Sequence, residues 1–493
     1  MTPIGDPICL HPENPRYFVF RNRPRVMITA TEHYGAVLNR NLSYGDYLDE
    51  AADKAMTLSR CFLLFRELES PINPHSPCKP VAGEYVAPFR RTGPGHAADG
   101  FPKFDLDQWN DEFFARLHGF LTEAAQREIV VELTLFSNTY ADRIWRLNPF
   151  HCENNVNGVG SIAWQDYSAI VDPKLFAYQQ AYVCKVVREV NAYDNVYFEI
   201  CNEPFGDHAG HASSKQVLAW HTALRELIRE EEKGLPKKHL IFQVPVEHAR
   251  GGSDLEILEQ SATVDAINLH DYHLLNYKDM AFHPLSRFME GDLKLRGLHH
   301  LWTSCHSLEK PIVFDEDNAS TCHLNELSWT IHRKRAWMTV CSGGHYDMID
   351  FSIQSGGQEQ GTPASRATIR TWIKHLSEFI HSVDFVHAVP LREFATCTCD
   401  AVLAAALANA GNEYVIYLAD ARESNTPGAG DPCQASLRFS LPEGLFDARF
   451  FSPTTGAYSD EHTHLSGGDA SLTIPRFAHD IVVHIRRQDG RSP

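Results

Sequence analysis

The feature that most constrains this chain is a repeated alternation of short, continuously apolar runs with longer amphipathic ones. The apolar runs fall at 25–32, 57–65, 128–136, 195–201, 239–246, 264–270, 310–316 and 346–353. Segments between them carry apolar residues near the helical period. In 107–126 these are Phe113, Phe114, Leu117, Phe120 and Leu121; 173–191 behaves likewise, and 215–232 ends at Gly234 and Pro236. A strand that is apolar at every position is covered on both faces, which points to a parallel sheet wrapped by helices. Eight such units over roughly 350 residues predict a closed (β/α)8 TIM barrel rather than an open doubly wound sheet. No Gly-x-Gly-x-x-Gly follows the first run, and no Walker-type loop occurs, so nucleotide binding is disfavoured.

The two ends of the chain have a different texture. Residues 17–35 predict a hairpin, with 17–20 as one strand, 21–24 as the turn and 26–30 as the second strand. After a last helix over 361–381, short alternating strands follow at 402–407, 413–418, 435–439, 448–451, 471–474 and 481–485, separated by Gly- and Pro-rich turns. That pattern predicts a small all-β sandwich. The expected organisation is a barrel over 1–382, including the N-terminal hairpin, and a β-sandwich domain over 383–493.

Charge narrows the partners. The chain of 493 residues carries 45 Lys and Arg against 63 Asp and Glu, a net charge of -18. Such a surface argues against nucleic acid and anionic membranes as partners, but not against neutral sugars. No apolar stretch reaches the length of about 18 residues that a membrane helix needs. The N-terminus has neither a basic segment nor an apolar core of the signal-peptide kind, so a cytoplasmic location is expected unless a leader has been removed. Most of the 12 cysteines, such as Cys61, Cys184, Cys201 and Cys341, sit singly in apolar runs, which fits buried thiols in a reducing compartment.

Two segments carry chemistry. Phe198-Glu199-Ile200-Cys201-Asn202-Glu203-Pro204 is an apolar strand running into Asn-Glu-Pro, and Lys310-Pro311-Ile312-Val313-Phe314-Asp315-Glu316-Asp317 is another ending in carboxylates. Barrel active sites form at the C-terminal ends of the strands. These are strands 4 and 7, so Glu203 and Glu316 would face each other across the mouth. Retaining glycosidases need two carboxyl groups about 5–5.5 Å apart, one to protonate the leaving oxygen and one to attack the anomeric carbon. On a regular strand Phe314 and Glu316 share one face, and Asp315 and Asp317 the other; this alternation favours Glu316, and a bulge would reverse it.

With these two motifs in place, the sequence resembles the clan A (β/α)8 retaining glycosidases that include the family 5 cellulases and mannanases. The resemblance implies Glu203 as acid/base, Glu316 as nucleophile, and hydrolysis of β-glycosidic bonds in oligo- or polysaccharides without a cofactor. It also implies that Asn202 contacts the sugar, that His270 and Tyr272 fill the clan's His-x-Tyr on strand 6, with Tyr272 bonded to the nucleophile, and that Arg60 on strand 2 supports the same glutamate. Thr31-Glu32-His33-Tyr34-Gly35-Ala36 and Val156-Asn157-Gly158-Val159-Gly160 look like segments of cellulase-like bacterial enzymes. The run 448–456 resembles the small β domain appended to apiosidase-like barrels. One departure is the strand 8 segment 347–354, which lacks the clan's Trp. The mechanism would require a raised pKa on Glu203, to keep it protonated beside ionised Glu316.

The remaining candidates are less specific. His33 and Tyr34 end strand 1 and are candidate sugar contacts. Asn154 and Asn155, in the long loop after strand 3, suit either hydroxyl binding or Asx turns. Trp145 and Trp164 in the same loop suit either stacking or core packing. Glu32, Glu132, Glu199 and Glu247 are rival carboxylates, and Glu199 and Glu132 are expected to be paired structural charges. His270, His273 and Asp271 lack a further ligand at useful spacing, so no metal is expected. Two other functional readings remain open on the residues: a non-catalytic sugar-binding barrel, and an inverting enzyme using Asp317 or Asp350 as base.

Overall fold

The computed structural model describes residues 5–68, 83–248, 263–270, 295–317, 326–350, 363–423 and 426–488. Eight parallel strands form the barrel: β1 (Ile28–Thr31), β2 (Leu58–Phe62), β3 (Val130–Ser137), β4 (Val196–Asn202), β5 (Ile241–Gln243), β6 (Ala266–Leu269), β7 (Ile312–Asp317) and β8 (His345–Ile349). Hydrogen bonding orders them β1-β8-β7-β6-β5-β4-β3-β2. The ring closes where His33 bridges Cys61 in parallel and the Phe62 N–H donates to the His33 carbonyl at 2.8 Å. Each of the eight apolar runs thus supplies one barrel strand.

The covering helices are α1 (Tyr44–Asp53), α2 (Asp111–Gln126), α3 (Pro173–Val190), α4 (Ser214–Lys233), α5 (Leu295–Cys305), α6 (Glu326–Cys341) and α7 (Pro363–Ile380). Most of the β5–β6 connection, 249–262, lies outside the described residues. Local chemistry sets the helix starts. The Asn110 side chain accepts from Glu112 N–H; Asp172 accepts from Lys174 and Leu175 ahead of Pro173; Ser213 and Gln216 form a capping box. Helix α2 starts later than its apolar period suggests. Pro102–Trp109 is a strand paired with Phe89–His96, a hairpin inserted between β2 and α2. None of the described helices is long and apolar enough to cross a membrane, and the ten described cysteines are free.

The N-terminal hairpin is shorter than predicted. Phe18–Phe20 pairs with Arg23–Arg25 around Arg21 and Asn22, both at positive φ, while the run after Arg25 belongs to β1. Arg21 and Asn22 make a two-residue turn, so the partner strand begins at once and leaves Ile28 onward to the barrel. Phe18 and Phe20 plug the N-terminal end of the barrel against Leu58, Val130, Tyr197, Phe242 and Val313.

Beyond α7 the chain becomes antiparallel: β9 (Val389–Leu391), β10 (Thr396–Cys397), β11 (Val402–Asn409), β12 (Glu413–Asp420), β13 (Cys433–Ser452), β14 (Ala457–Phe477) and β15 (Asp480–Arg487). All pair in one connected sheet. The segments 435–439 and 448–451 belong to a single long strand, β13, with one of its three register shifts against β14, that between Leu441 and Leu445, lying between them. Alternation on β12 serves two cores at once. Tyr414, Ile416 and Leu418 pack within the β domain, whereas Val415, Tyr417 and Ala419 join the core shared with the barrel helices. Across this seam Trp337 of α6 stacks on Tyr417 at 5.8 Å, and Phe379 of α7 meets Phe451 at 4.6 Å.

The seam also buries an ion pair. Arg333 on α6 reaches Asp480 at 2.7 Å, and Tyr417 O–H donates to the same carboxylate at 3.0 Å. Removing one partner of a buried pair strands the other charge, which costs ~3–5 kcal/mol. Arg333→Ala is therefore expected to lower unfolding free energy by about that amount, read as the midpoint shift in urea denaturation.

Candidate active site

The barrel interior carries a charged layer above its apolar plug. Arg60 on β2, Glu132 on β3, Glu199 on β4, Asn268 on β6, Asp315 on β7 and Asp347 on β8 are all buried. Arg60 is the hub. Its Nε meets Glu132 at 3.2 Å, and its Nη2 donates to Glu199 at 2.6 Å and to Asn202 Oδ1 at 2.8 Å. Nη2 also lies 3.1 Å from Asp315, and Nη1 donates to Glu316 Oε2 at 2.9 Å. Asn268 Nδ2 donates to Glu132 at 2.7 Å and to Glu199 at 2.9 Å. Glu132 and Glu199 are thus paired inside the barrel as expected, although Glu132 is not held as a charge. Burial and the Asp315 charge push Glu132 and Asp347 well above the carboxylate range, so both hold protons.

The mouth lies at the C-terminal ends of the strands. Here His33, Tyr140, Glu203 and Glu316, which follow or end β1, β3, β4 and β7, all adopt left-handed backbone angles, with φ between 45° and 65°. Non-glycine residues in that region cost ~1–3 kcal/mol each, and such strain gathers at functional sites. The backbone at Glu316 corrects the expected strand parity. Phe314 packs on the helix side, against Trp302, with Arg335 over its ring, and Asp317 pairs with Arg335 at 3.2 Å and with Tyr346 O–H at 2.6 Å. Asp315 is the inward residue. Simple alternation would send Glu316 outward. The register shift between Phe314 and Asp317, with φ 64° at Glu316, turns it into the mouth instead.

Three side chains converge there. One atom each from Glu203, His270 and Glu316 lies within 4.8 Å of the other two. His270 Nδ1 is 3.0 Å from Glu203 Oε1 and 3.6 Å from Glu316 Oε2, and its Nε2 is 3.3 Å from Asp315. Tyr34 O–H donates to Glu316 Oε1 at 3.3 Å. Tyr140 O–H bonds to Glu203 and accepts from Asn202 Nδ2 at 2.7 Å. The Glu203 side chain is 24% exposed and that of Glu316 only 8%, so Glu203 is the acid nearer solvent. The donor set of two glutamates and a histidine could also hold a divalent ion, but Arg60 already supplies positive charge to Glu316.

The protonation pattern differs from the expected one. Burial alone would discharge His270, yet Asp315 and Glu203 outweigh it and hold the imidazole charged, well above its usual range. Burial raises Glu203, but the His270 bond and charge outweigh it and bring the carboxyl below its ordinary value. Burial pushes Glu316 up to about 7, with Glu203 and Asp315 adding repulsion against the pull of His270 and Arg60. The raised acid of the pair is therefore Glu316 rather than Glu203, because the imidazolium sits closer to Glu203.

The other candidates divide clearly. Tyr34, Arg60, Asn202 and His270 gather around the two glutamates; Tyr272 lies outside the described residues. His33 is fully buried and faces Asp347 at 3.1 Å, and burial keeps it neutral; it belongs to the wall rather than to the sugar-facing surface. Asn154 and Asn155 are not hydroxyl binders. Their amides are buried and spent on their own loop, with Asn154 Nδ2 donating to Arg146 and Asn148 carbonyls and Asn155 Nδ2 to the His151 carbonyl. Trp145 is buried, with its N–H on the Ile162 carbonyl. Asp317 and Asp350 are engaged by Arg335 and Arg370, away from the two glutamates. Glu32 caps Gly35 and Ala36 N–H groups. Tyr140 was missed: it stands only three residues beyond β3, in what reads as ordinary polar loop.

Comparison with known proteins supports the fold. Residues 80–214, which include Glu203, match a family model described as DUF6298, a domain of unknown function. No curated protein matches in sequence. Among solved structures, a glycoside hydrolase family 5 protein from Bacteroides vulgatus superposes with TM-score 0.64 at 15% identity, covering 98% of this chain and 94% of that one. A second B. vulgatus protein gives 0.61 at 11% identity over 99% and 83%. An endo-1,4-β-mannanase from Rhizomucor miehei gives 0.50 at 14% identity over 77% and 100%. The fold is that of a (β/α)8 barrel followed by a β domain, shared over nearly the whole chain with the first two.

Arg60→Met is expected to destabilise the barrel by about 3–5 kcal/mol, because it strands Asp315 and its neighbours without a counter-charge. The sign of the pH effect follows. Arg60 and His270 outweigh burial and hold Asp315 below its ordinary value, so its ionisation stabilises the wild type above that value and the gain is lost as pH falls. The deficit of the variant should hold above about pH 4 and shrink as pH falls below it, measured by urea denaturation of both proteins on either side of that value.

Proposed function

We propose that this chain is a retaining glycoside hydrolase acting on β-linked oligo- or polysaccharides, with Glu203 as acid/base and Glu316 as nucleophile. The observation that carries the reading is the pair itself. Two glutamates from opposite sides of the barrel mouth place oxygens within 4.8 Å of each other, matching the close spacing of retaining enzymes rather than the ~6.5–9.5 Å of inverting ones. Its structural neighbours, among them a glycoside hydrolase family 5 protein and an endo-1,4-β-mannanase, agree with the reaction class.

In the first step a Glu316 oxygen attacks the anomeric carbon while Glu203 gives its proton to the departing oxygen. In the second, water attacks the glycosyl ester and Glu203 takes the water proton. Arg60 and Tyr34 hold the two Glu316 oxygens and orient the attacking lone pair. Asn202, fixed between Arg60 and Tyr140, has its amide at the edge of the same pocket.

Glu316→Gly assayed on a panel of aryl β-glycosides should lose at least about 10³-fold in kcat. Added azide should restore turnover and release a glycosyl azide of inverted configuration. Unchanged hydrolysis by the variant would remove Glu316 from the mechanism. A second expectation concerns pH. A nucleophile must be ionised, and Glu316 is pushed up to about 7. The wild-type kcat/KM should therefore fall as pH drops through about 7, and an acid limb near pH 4 would contradict it.

A further inference from the structure

Within the glycosidase reading, on which this inference rests, we propose that Asp315 and His270 form a proton store for Glu203, with Asp315 as the positioning residue. The geometry places His270 between two carboxylates: Asp315 Oδ2 lies at ion-pair distance from His270 Nε2, 3.3 Å, and His270 Nδ1 is hydrogen-bonded to Glu203 Oε1 at 3.0 Å. Asp315 and His270 are buried, and only Glu203 reaches solvent.

The store works through tautomer choice. Asp315 faces Nε2 and keeps a proton there in both charge states of the ring. The labile proton is therefore the one on Nδ1, which points at Glu203. Moving it breaks one N–H bond and forms one O–H bond, leaving a neutral imidazole still protonated on Nε2 beside the Asp315 anion. Glu203 is then the acid that the first chemical step requires. In the second step Glu203 removes a proton from water and returns it to Nδ1, so the cycle balances without another reactant. The arrangement reconciles an ionised Glu203 with its role as acid: the proton waits one hydrogen bond away.

Among the described residues, titratable and charged groups surround the pair from β1, β2, β3, β4, β7 and β8. Glu199 and Glu203 face His270 from β4, and Asp315 and Glu316 face it from β7. Arg60 on β2 stands against Asp315 and Glu316, and His33 after β1 is neutral. Asp347 on β8 and Glu132 on β3 adjoin Asp315 and hold protons, and Tyr140 after β3 bonds Glu203. Asp315 is thus the anion that anchors the imidazolium from behind. It lies in the strand one residue before the nucleophile, so the same segment sets both.

The test uses 15N-histidine-labelled full-length protein followed by NMR, with the His270 signals assigned by their loss in His270→Gln. Wild type should show both ring nitrogens protonated at pH 7, and Nδ1 should lose its proton first as pH rises. A neutral His270 at pH 7, or loss from Nε2 first, would overturn the proposal without any variant. In Asp315→Asn the ring should be neutral at pH 7, and an unchanged titration would also overturn it. On the kinetic side, Asp315→Asn should lower kcat/KM by about 10²-fold for glycosides with poor leaving groups, against about threefold or less for dinitrophenyl glycosides, which need no acid. Its alkaline limb should move to lower pH. Equal losses on both substrate types with no shift of the limb would assign Asp315 a purely structural role. If wild type cleaves no glycoside, the glycosidase reading fails by itself, while the NMR titration still decides whether Asp315 and His270 hold a labile proton against Glu203.

Discussion

A guanidinium buried at the centre of the barrel organises everything above it. Arg60 meets four carboxylates from three other strands, Glu132 on β3, Glu199 on β4, and Asp315 and Glu316 on β7, and a fifth partner in Asn202. Burying one such charge is costly unless all its donors are engaged, and the planar fork of arginine can engage several acceptors at once. The cost is met by surrounding it with more acids than it can neutralise. Protonation of Glu132 and Asp347, together with the charge on His270, balances the remainder. A barrel interior usually fills with aliphatic layers; here the apolar layer is confined to the N-terminal plug, and the polar layer sits directly under the mouth.

This arrangement links stability to chemistry. The same Arg60 that satisfies the interior also holds one oxygen of Glu316, while Tyr34 holds the other. The placement of Glu316 is therefore tied to the packing beneath it. The price is backbone strain at the strand ends, where Glu203 and Glu316 both take left-handed angles to aim inward. Rigid strands, tied by the parallel ladder, can hold that strain where a loop would relax. The β domain adds rigidity from the side, since α6 and α7 share one apolar core with β11, β12, β13 and β15.

Much of the fold was legible in the chain because hydrophobic burial has a period. Continuous apolar runs marked β1 to β8, and amphipathic helices between them marked the barrel. Polar hairpins carried no such mark. The exposed half of β14 is held by pairing with β13 rather than by an apolar face, and Pro102–Trp109 buries only Phe104 and Leu106 between exposed ends, too short an alternation to mark a strand. In the site, Glu203 was legible from Asn-Glu-Pro at the end of an apolar strand, and Glu316 from its place at the end of β7. The parity argument for Glu316 was unsound, because a register shift is a property of paired strands and leaves no trace in residue types. For Asn154 and Asn155 the sequence left hydroxyl binding and loop turns equally open, because a buried loop and an exposed one use the same residues to satisfy backbone groups.

By itself, the sequence determined the eight-unit barrel, the appended β domain, and the two glutamates at the ends of strands 4 and 7, since each follows from local pattern and order along the chain. Tertiary structure alone decided which charges meet. It made Asp315 rather than Glu316 the inward residue of the strand, brought Tyr140 to Glu203, and placed His270 between Asp315 and the two glutamates. Those outcomes depend on distances between strands far apart in sequence and on burial, and burial sets where a proton resides. No reading of residue types along one strand contains either quantity.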